Sequence, residues 1–204
     1  MNEKNTNPII INIGGDEFKL DKTRVAHWER FIPYFEQDEF FKNYFFINQV
    51  TKAGDSLSKR IRFLSLYQTA SKIIGKFPNE NVVECGCFNG CSTYINSKIL
   101  EKNIFKNSFY VFDSFEGLSE PTPEDLLYHT VSKVSSGIKP QKGMFKSNEN
   151  AFRNFFSSFD FIDIKKGWIP DRFKEVKDYK FSFVNIDVDI YKPTLESLNF
   201  FFLD

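Results

Sequence analysis

The sequence predicts an α/β fold in which a parallel sheet carries helices on both faces. Three observations predict it. From Val82 onward, four short apolar runs, "VVECG", "SFYVFD", "FIDIKKG" and "FSFVNIDVD", alternate with stretches of helical pattern or loop. Strands spaced by helices pair in parallel, because a crossover is needed to return the chain to the same end of the sheet. The runs are short and mostly apolar, as expected of strands in a sheet with helices on its faces. Several finish in glycine or aspartate, at the carboxyl ends where such sheets bind ligands.

Ahead of that pattern, "PIIINIGGDEFKL" reads as two short strands around Gly14-Gly15-Asp16, a hairpin. Residues 22–50 carry Trp28, Phe31, Tyr34, Phe35, Phe40, Phe41, Tyr44 and Phe45, read as helical turns packing aromatic faces with a break near Pro33. "TKAGDSLS" is a linker, and a helix is expected from Ser58, with Ile61, Leu64, Tyr67, Ile73 and Ile74 on its inner face and Gly75 and Pro78 at its end. Residues 1–57 are thus an N-terminal arm, mostly helical, and 58–204 the sheet domain. Within that domain a strand ends near Cys85, a helix runs through Lys102, and a second strand ends at Asp113. A variable section covers about 117–150, two more strands follow, and a last helix begins near Pro193.

Composition narrows the function. The chain has 204 residues, 41% of them hydrophobic and 26 of them phenylalanine, enough for one well-filled core. Lys+Arg and Asp+Glu are both 27, so no basic excess points to nucleic acid. The polar start "MNEKNTNP" lacks an apolar signal core, and no run is long enough to span a bilayer. These features give the expectation of a soluble, cytoplasmic protein with no membrane partner. The three cysteines, clustered and odd in number, do not resemble a disulfide framework.

That cluster lies in "VVECGCFNGCSTY", residues 82–94. A zinc reading is weak: Cys85, Cys87 and Cys91 are spaced C-x-C-x3-C, and His27 and His129 are the chain's only imidazoles. A turn reading is better, with Gly86 opening a tight bend and Gly90 letting the next helix pack closely. Phe88 stands where a dinucleotide fingerprint has its second glycine, which disfavours a pyrophosphate and leaves a ligand with a ribose alone. Simple tight packing is the competing explanation.

Two further positions complete a candidate site. Asp113 ends the next strand, 23 residues after Gly90, where an acid can accept ribose hydroxyls; it could equally be a turn or cap aspartate. Asp187 and Asp189, in "VNIDVDIY", end a very apolar strand. Paired carboxylates favour a cation or a proton between them, and oxygen donors suit Mg²⁺. Residues two apart in an extended strand face the same way, although Asp189 could instead cap the following helix.

Together "VVECGCFNGCST", "FYVFDSFEGLSEP", "KKGWIPDRF" and "VNIDVDIYKPTLESL" resemble the macrocin O-methyltransferase (TylF-like) family, over residues 58–204. The resemblance implies a Rossmann-like class I methyltransferase sheet and S-adenosylmethionine-dependent methylation of a sugar or glycoside hydroxyl, with Mg²⁺ assisting. It places Glu84, Gly86, Cys87, Phe88 and Gly90 around the methionine and ribose, with Asp113 on the ribose hydroxyls and Ser114 and Phe115 beside it. Gly167 and Trp168 fall near the adenine, Asp187 is the catalytic and first metal aspartate, and Asp189 is the second metal acid.

The family pattern continues past Asp204 with a glycine turn and a strand ending in paired aspartates, so a C-terminally truncated sheet with an incomplete metal site is expected. The alternatives are a methyltransferase-like binding module without turnover and a Rossmann-like NAD or sugar-nucleotide enzyme. The small-molecule acceptor is expected to meet residues 117–150 and the arm, which is read as a lid or a homo-oligomer contact.

Overall fold

The computed structural model describes residues 9–13, 16–20, 38–125 and 139–203. Gly14, Gly15, the stretch from Trp28 to Phe35 with Pro33, and both histidines lie outside the described residues. The chain divides into two compact units, 1–67 and 68–204.

In the first unit, β1 (Ile9–Ile13) and β2 (Asp16–Leu20) pair antiparallel from Ile9↔Leu20 to Ile13↔Asp16, as the hairpin pattern predicts. Helix α1 (Asp38–Thr51) buries Phe40, Phe41, Tyr44 and Ile47, one stripe at helical spacing. Helix α2 (Leu57–Lys76) begins one residue earlier than the sequence suggests. The Ser56 hydroxyl explains the difference: it accepts the Lys59 N–H at 3.2 Å, so Ser56 caps the helix. Tyr44 donates to Asp55 at 2.8 Å, and Arg60 pairs with the same carboxylate. The unit boundary falls inside α2, whose second half, with Ala70 and Ile74 buried, belongs to the second unit.

The second unit is built on four parallel strands: β3 (Asn81–Cys85), β4 (Phe109–Asp113), β5 (Ile162–Lys166) and β6 (Phe181–Ile186), in the order β5-β4-β3-β6. The chain steps outward from β3 to β4 to β5, then returns to β6 on the other side of β3. The order therefore reverses between β3 and β6, and the loops leaving those strands diverge there. Helix α3 (Cys91–Lys102) follows β3, α4 (Glu149–Phe156) precedes β5, and α5 (Tyr191–Phe202) follows β6. This matches the predicted α/β class. Among the described residues no helix is long and apolar enough to cross a membrane.

Alternation along the strands sorts the core. Val83, Cys85, Tyr110 and Phe112 form one buried cluster with Phe173 and Val176, and Phe200 and Phe201 of α5 pack against it. Their strand neighbours Val82, Glu84, Phe109 and Val111 point to the opposite face, where Thr93 of α3 reaches Glu84. Pro193 sits in the first turn of α5, where its missing N–H is tolerated, so the helix starts two residues before it. Sequence reading assigned no helix to α4, whose start overlaps the end of the variable section. Its start is nonetheless marked, because Asn148 accepts the Ala151 N–H at 3.0 Å and Glu149 stands in the first turn.

Between β4 and α4 the chain makes a long excursion closed at its base. Leu118 N–H donates to the Met144 carbonyl at 2.8 Å, and Gly143 N–H to the Leu118 carbonyl at 2.9 Å. Gly117, at φ +83°, has no room for a side chain there: a Cβ would lie 2.3 Å from the Met144 oxygen.

Candidate functional site

The carboxyl ends of β3 and β6 meet at the switch point. Gly86 leaves β3 at φ +85° and donates its N–H to the Phe112 carbonyl at 2.8 Å. A Cβ on Gly86 would stand 2.2 Å from the backbone oxygen of Asp187. The glycine is needed there because a second strand end, rather than a ligand, comes this close. Asp187 N–H in turn donates to the Cys85 carbonyl at 2.8 Å, fixing the backbone from which its carboxylate projects.

Gly90 has the same left-handed conformation, φ +86°, and a different neighbour. A Cβ there would lie 2.6 and 2.8 Å from atoms of the Phe156 ring and 3.0 Å from Phe152. It clears the aromatic face of α4, which is the packing role the sequence left open. Between the two glycines Phe88 is itself left-handed, at φ 47°, an uncommon state for a bulky residue.

Asp113 holds this turn together. One carboxylate oxygen accepts the N–H of Cys87 at 2.8 Å and of Phe88 at 3.1 Å, and the other accepts Phe115 N–H at 2.6 Å. A carboxylate offers about four acceptor sites, so one remains. Ser114 closes the next turn, donating its hydroxyl to the Gly117 carbonyl at 3.0 Å and accepting Glu116 N–H at 3.0 Å.

These elements bound a cleft of about 610 Å³ of atom-free space, counting its open mouth. Of the sequence-predicted residues, its wall contains Gly86, Phe88, Asp113, Ser114, Gly167, Trp168, Asp187 and Asp189; Glu84, Cys87, Gly90 and Phe115 are not part of it. Phe112, Gly117, Leu118, Ser119, Phe145, Ile169, Val188, Ile190 and Pro193 complete the wall. Phe145, whose ring meets Phe88 edge-on at 5.5 Å, carries no motif that could have marked it. Three aspartates line the cleft, and among the described residues no lysine or arginine does.

Glu84 sits behind this wall, fully buried. Its carboxylate receives Thr93 Oγ1 at 2.5 Å and Asn185 Nδ2 at 3.0 Å, so it cross-links β3, α3 and β6. Burial above all, and to a smaller extent the nearby charge of Asp187, raises its pKa to about 7, against hydrogen bonds with Ser92, Thr93 and Asn185 that lower it.

Strand β6 ends at Ile186, and Asp189 adopts φ 63°. Asp187 and Asp189 are therefore not consecutive same-face positions of an extended strand, as the sequence pattern implied. Both still reach the cleft wall. No group of three or more His, Cys, Asp or Glu side chains that could hold a metal ion occurs among the described residues. No disulfide joins the three cysteines, Cys85 and Cys87 being buried and Cys91 partly exposed. Burial raises the thiol pKa of both Cys85 and Cys87.

The profile of the macrocin-O-methyltransferase (TylF) family matches residues 49–203, well over half of the chain. No curated protein matches it. Among solved structures the chain is similar to the O-methyltransferase NovP, at 18% identity and a TM-score of 0.53 over 68% of this chain and 58% of that one. It is also similar to CalS11, a calicheamicin methyltransferase, at 12% identity and a TM-score of 0.54 over 81% of this chain and 72% of that one. At these identities the likeness is one of fold. The match to NovP spans less than two thirds of that protein's length.

Proposed function

Because the chain belongs to the macrocin-O-methyltransferase (TylF) family, we propose that it is an S-adenosylmethionine-dependent O-methyltransferase acting on a sugar or glycoside hydroxyl. The observation that carries this reading is the make-up of the cleft: aromatic rings and three aspartates at the switch point, with no lysine or arginine among the described residues of its wall. That set suits a nucleoside bearing a sulfonium cation, which carboxylates and ring faces attract. It does not suit the pyrophosphate of NAD, which needs close backbone approach and positive charge.

S-adenosylmethionine, when bound, supplies an electrophilic methyl group. The protein's residues do the rest. Asp113 keeps one acceptor site for a ribose hydroxyl while its other bonds hold the turn in shape. Phe88, Phe145 and Trp168, each more than a third exposed, offer ring faces to the base. Asp187 and Asp189 present carboxylates where an acceptor hydroxyl would lose its proton, a general-base role worth about 10²–10⁴ in rate. The Mg²⁺ that the resemblance implies would find two acids here and, among the described residues, no converging third. Mg²⁺ demands near-octahedral oxygen geometry, so the residues present do not complete its site and no step is assigned to it.

The alternative reading, a binding module without turnover, is favoured by that same short donor set. Calorimetric titration with S-adenosylmethionine, S-adenosylhomocysteine and NAD, followed by a methyl-transfer assay, separates the readings. Nucleoside binding with transfer supports the enzyme, and nucleoside binding without transfer supports the module. Tighter binding of NAD than of S-adenosylhomocysteine would sink both.

A further inference from the structure

Helix α5 starts without a cap of its own. Ser56 and Asn148 cap α2 and α4 from the residue before each helix, but the residue before α5 is Ile190, whose side chain has no acceptor. Ile190 is 2% exposed and lines the cleft, so that position serves packing rather than capping. The first N–H groups of a helix still need acceptors. The Tyr191 N–H finds one 66 residues back in the chain, where Asp125 accepts it at 2.6 Å. That carboxylate is itself held in place. Its other oxygen accepts the Thr122 N–H at 2.7 Å and the Thr122 hydroxyl at 3.1 Å.

The bond lands beside the two carboxylates to which the methyl-transfer reading gives the acceptor's proton. Between β6 and α5 the chain makes one tight turn, 187–190. Its near end is tied to β3 by the Asp187 N–H on the Cys85 carbonyl, and the Ile190 N–H closes back on the Val188 carbonyl at 2.8 Å. Asp189 sits inside that closure at φ 63°. A residue other than glycine keeps such a backbone only where its surroundings over-determine it. The far end of the turn is the start of α5, and helix ends fray where their N–H groups lack acceptors. A charged acceptor makes a short, strong bond to an N–H, and here it closes that end.

We propose that Asp125 is a positioning residue for the reaction: by accepting the Tyr191 N–H it fixes the turn from which Asp187 and Asp189 present their carboxylates. It touches neither cofactor nor acceptor in this role and acts through the backbone of residues 187–191. The inference rests on the methyl-transfer reading for the task of those carboxylates, but the hold on the turn can be measured without it.

The test compares the wild type with Asp125→Ala and Asp125→Asn. Amide exchange is read by NMR, S-adenosylhomocysteine affinity by calorimetry, and methyl transfer with phenyl β-D-glucoside as the acceptor probe. In Asp125→Ala the Tyr191 amide should exchange about tenfold faster or more, the usual worth of a hydrogen bond to a charged group, while the amides of β3 and β4 keep their wild-type rates. S-adenosylhomocysteine affinity should stay within about threefold. The kcat should fall about tenfold or more with the KM of the probe within about threefold, the signature of reacting groups moved rather than binding lost. Asparagine keeps the oxygen that meets Tyr191, so Asp125→Asn should recover most of the exchange protection and of kcat. Unchanged exchange at Tyr191, an unchanged kcat in Asp125→Ala, or an asparagine variant no better than alanine would overturn the proposal. If the wild type binds S-adenosylhomocysteine but leaves the probe unmethylated, exchange and its rescue by asparagine decide. If exchange follows the expected pattern while the wild type neither binds S-adenosylhomocysteine nor transfers, the hold on the turn stands and the methyl-transfer reading falls.

Discussion

Replacing Glu84 by glutamine should change how stability depends on pH, in a direction the structure fixes. Glu84 is fully buried, and burial lifts its pKa from 4.5 to about 7. The unfolded chain therefore binds fewer protons than the folded one between those values, and stability falls as pH rises through that window. Below about pH 4.5 the carboxyl is neutral in both states and costs nothing. Above about pH 7 the fold carries the full cost of a buried charge, roughly 3 kcal/mol at about 1.4 kcal/mol per pH unit. Glutamine has no charge to bury and keeps an oxygen for Asn185. Asp55 is held below its ordinary value despite partial burial, by hydrogen bonds from Arg60 and Tyr44 and by the charges of Arg60 and Lys59, so its contribution has the opposite sign. It is common to both proteins and cancels in their difference. Urea unfolding of wild type and Glu84→Gln at pH 5 and pH 8 is the assay. The variant should gain on the wild type by about 2–3 kcal/mol between the two pH values. A stability difference that stays constant with pH would refute the reasoning, whatever its size.

Other outcomes follow from the same geometry. Gly86→Ala should lose about 2–4 kcal/mol in urea unfolding, from the left-handed backbone and from pushing the β3 and β6 ends apart; wild-type stability would contradict the close approach. Asp113→Ala should lower stability by roughly 2–4 kcal/mol and S-adenosylhomocysteine affinity by about 1.5–3 kcal/mol; a loss of affinity alone would mean that its bonds to the turn carry no weight. In the native protein a thiol reagent should modify Cys91 first and reach Cys85 and Cys87 only on unfolding, with no stoichiometric zinc on metal analysis. Asp187→Asn should cut methyl transfer by about 10²-fold or more while leaving S-adenosylmethionine affinity within about threefold; a normal rate would move the chemistry elsewhere on the sheet.

What the sequence made legible was what local pattern encodes. Val82–Cys85, apart from Glu84, and Phe109–Phe112 are apolar because they are buried on both faces, and such runs announce themselves. Asp113, at the end of one strand, and Asp187, just past Phe181–Ile186, stand out because a buried strand rarely ends in charge without a reason. Other features depend on partners distant in the chain. That Asp113 spends most of its acceptor capacity on Cys87, Phe88 and Phe115 follows from the pairing of β3 with β4. That Glu84 lies behind the wall rather than in it follows from the alternation of β3 and from α3 lying over that face. Gly90 read as a feature of the turn, and the rings it clears come from α4, some sixty residues on. Phe145 joins the cleft wall from a segment that shares no motif with β3, and no short window of sequence contains both.

The closed base of the excursion between β4 and α4 also bears on how this protein can change over generations. Leu118 and Met144 are joined backbone to backbone, with Gly117 pressed against the junction. The entropy of closing a loop grows only slowly with its length, by about 0.6 kcal/mol per doubling. Residues can therefore be inserted, removed or exchanged between the two sides of the junction at small thermodynamic cost, while the sheet beneath keeps its register. Leu118, Ser119 and Phe145 of the cleft wall adjoin that junction, whereas Gly86, Asp113 and Asp187 do not. Such a layout lets selection rework one side of the cleft while leaving the strand ends intact, a separation of inheritable variation from the frame that must stay constant.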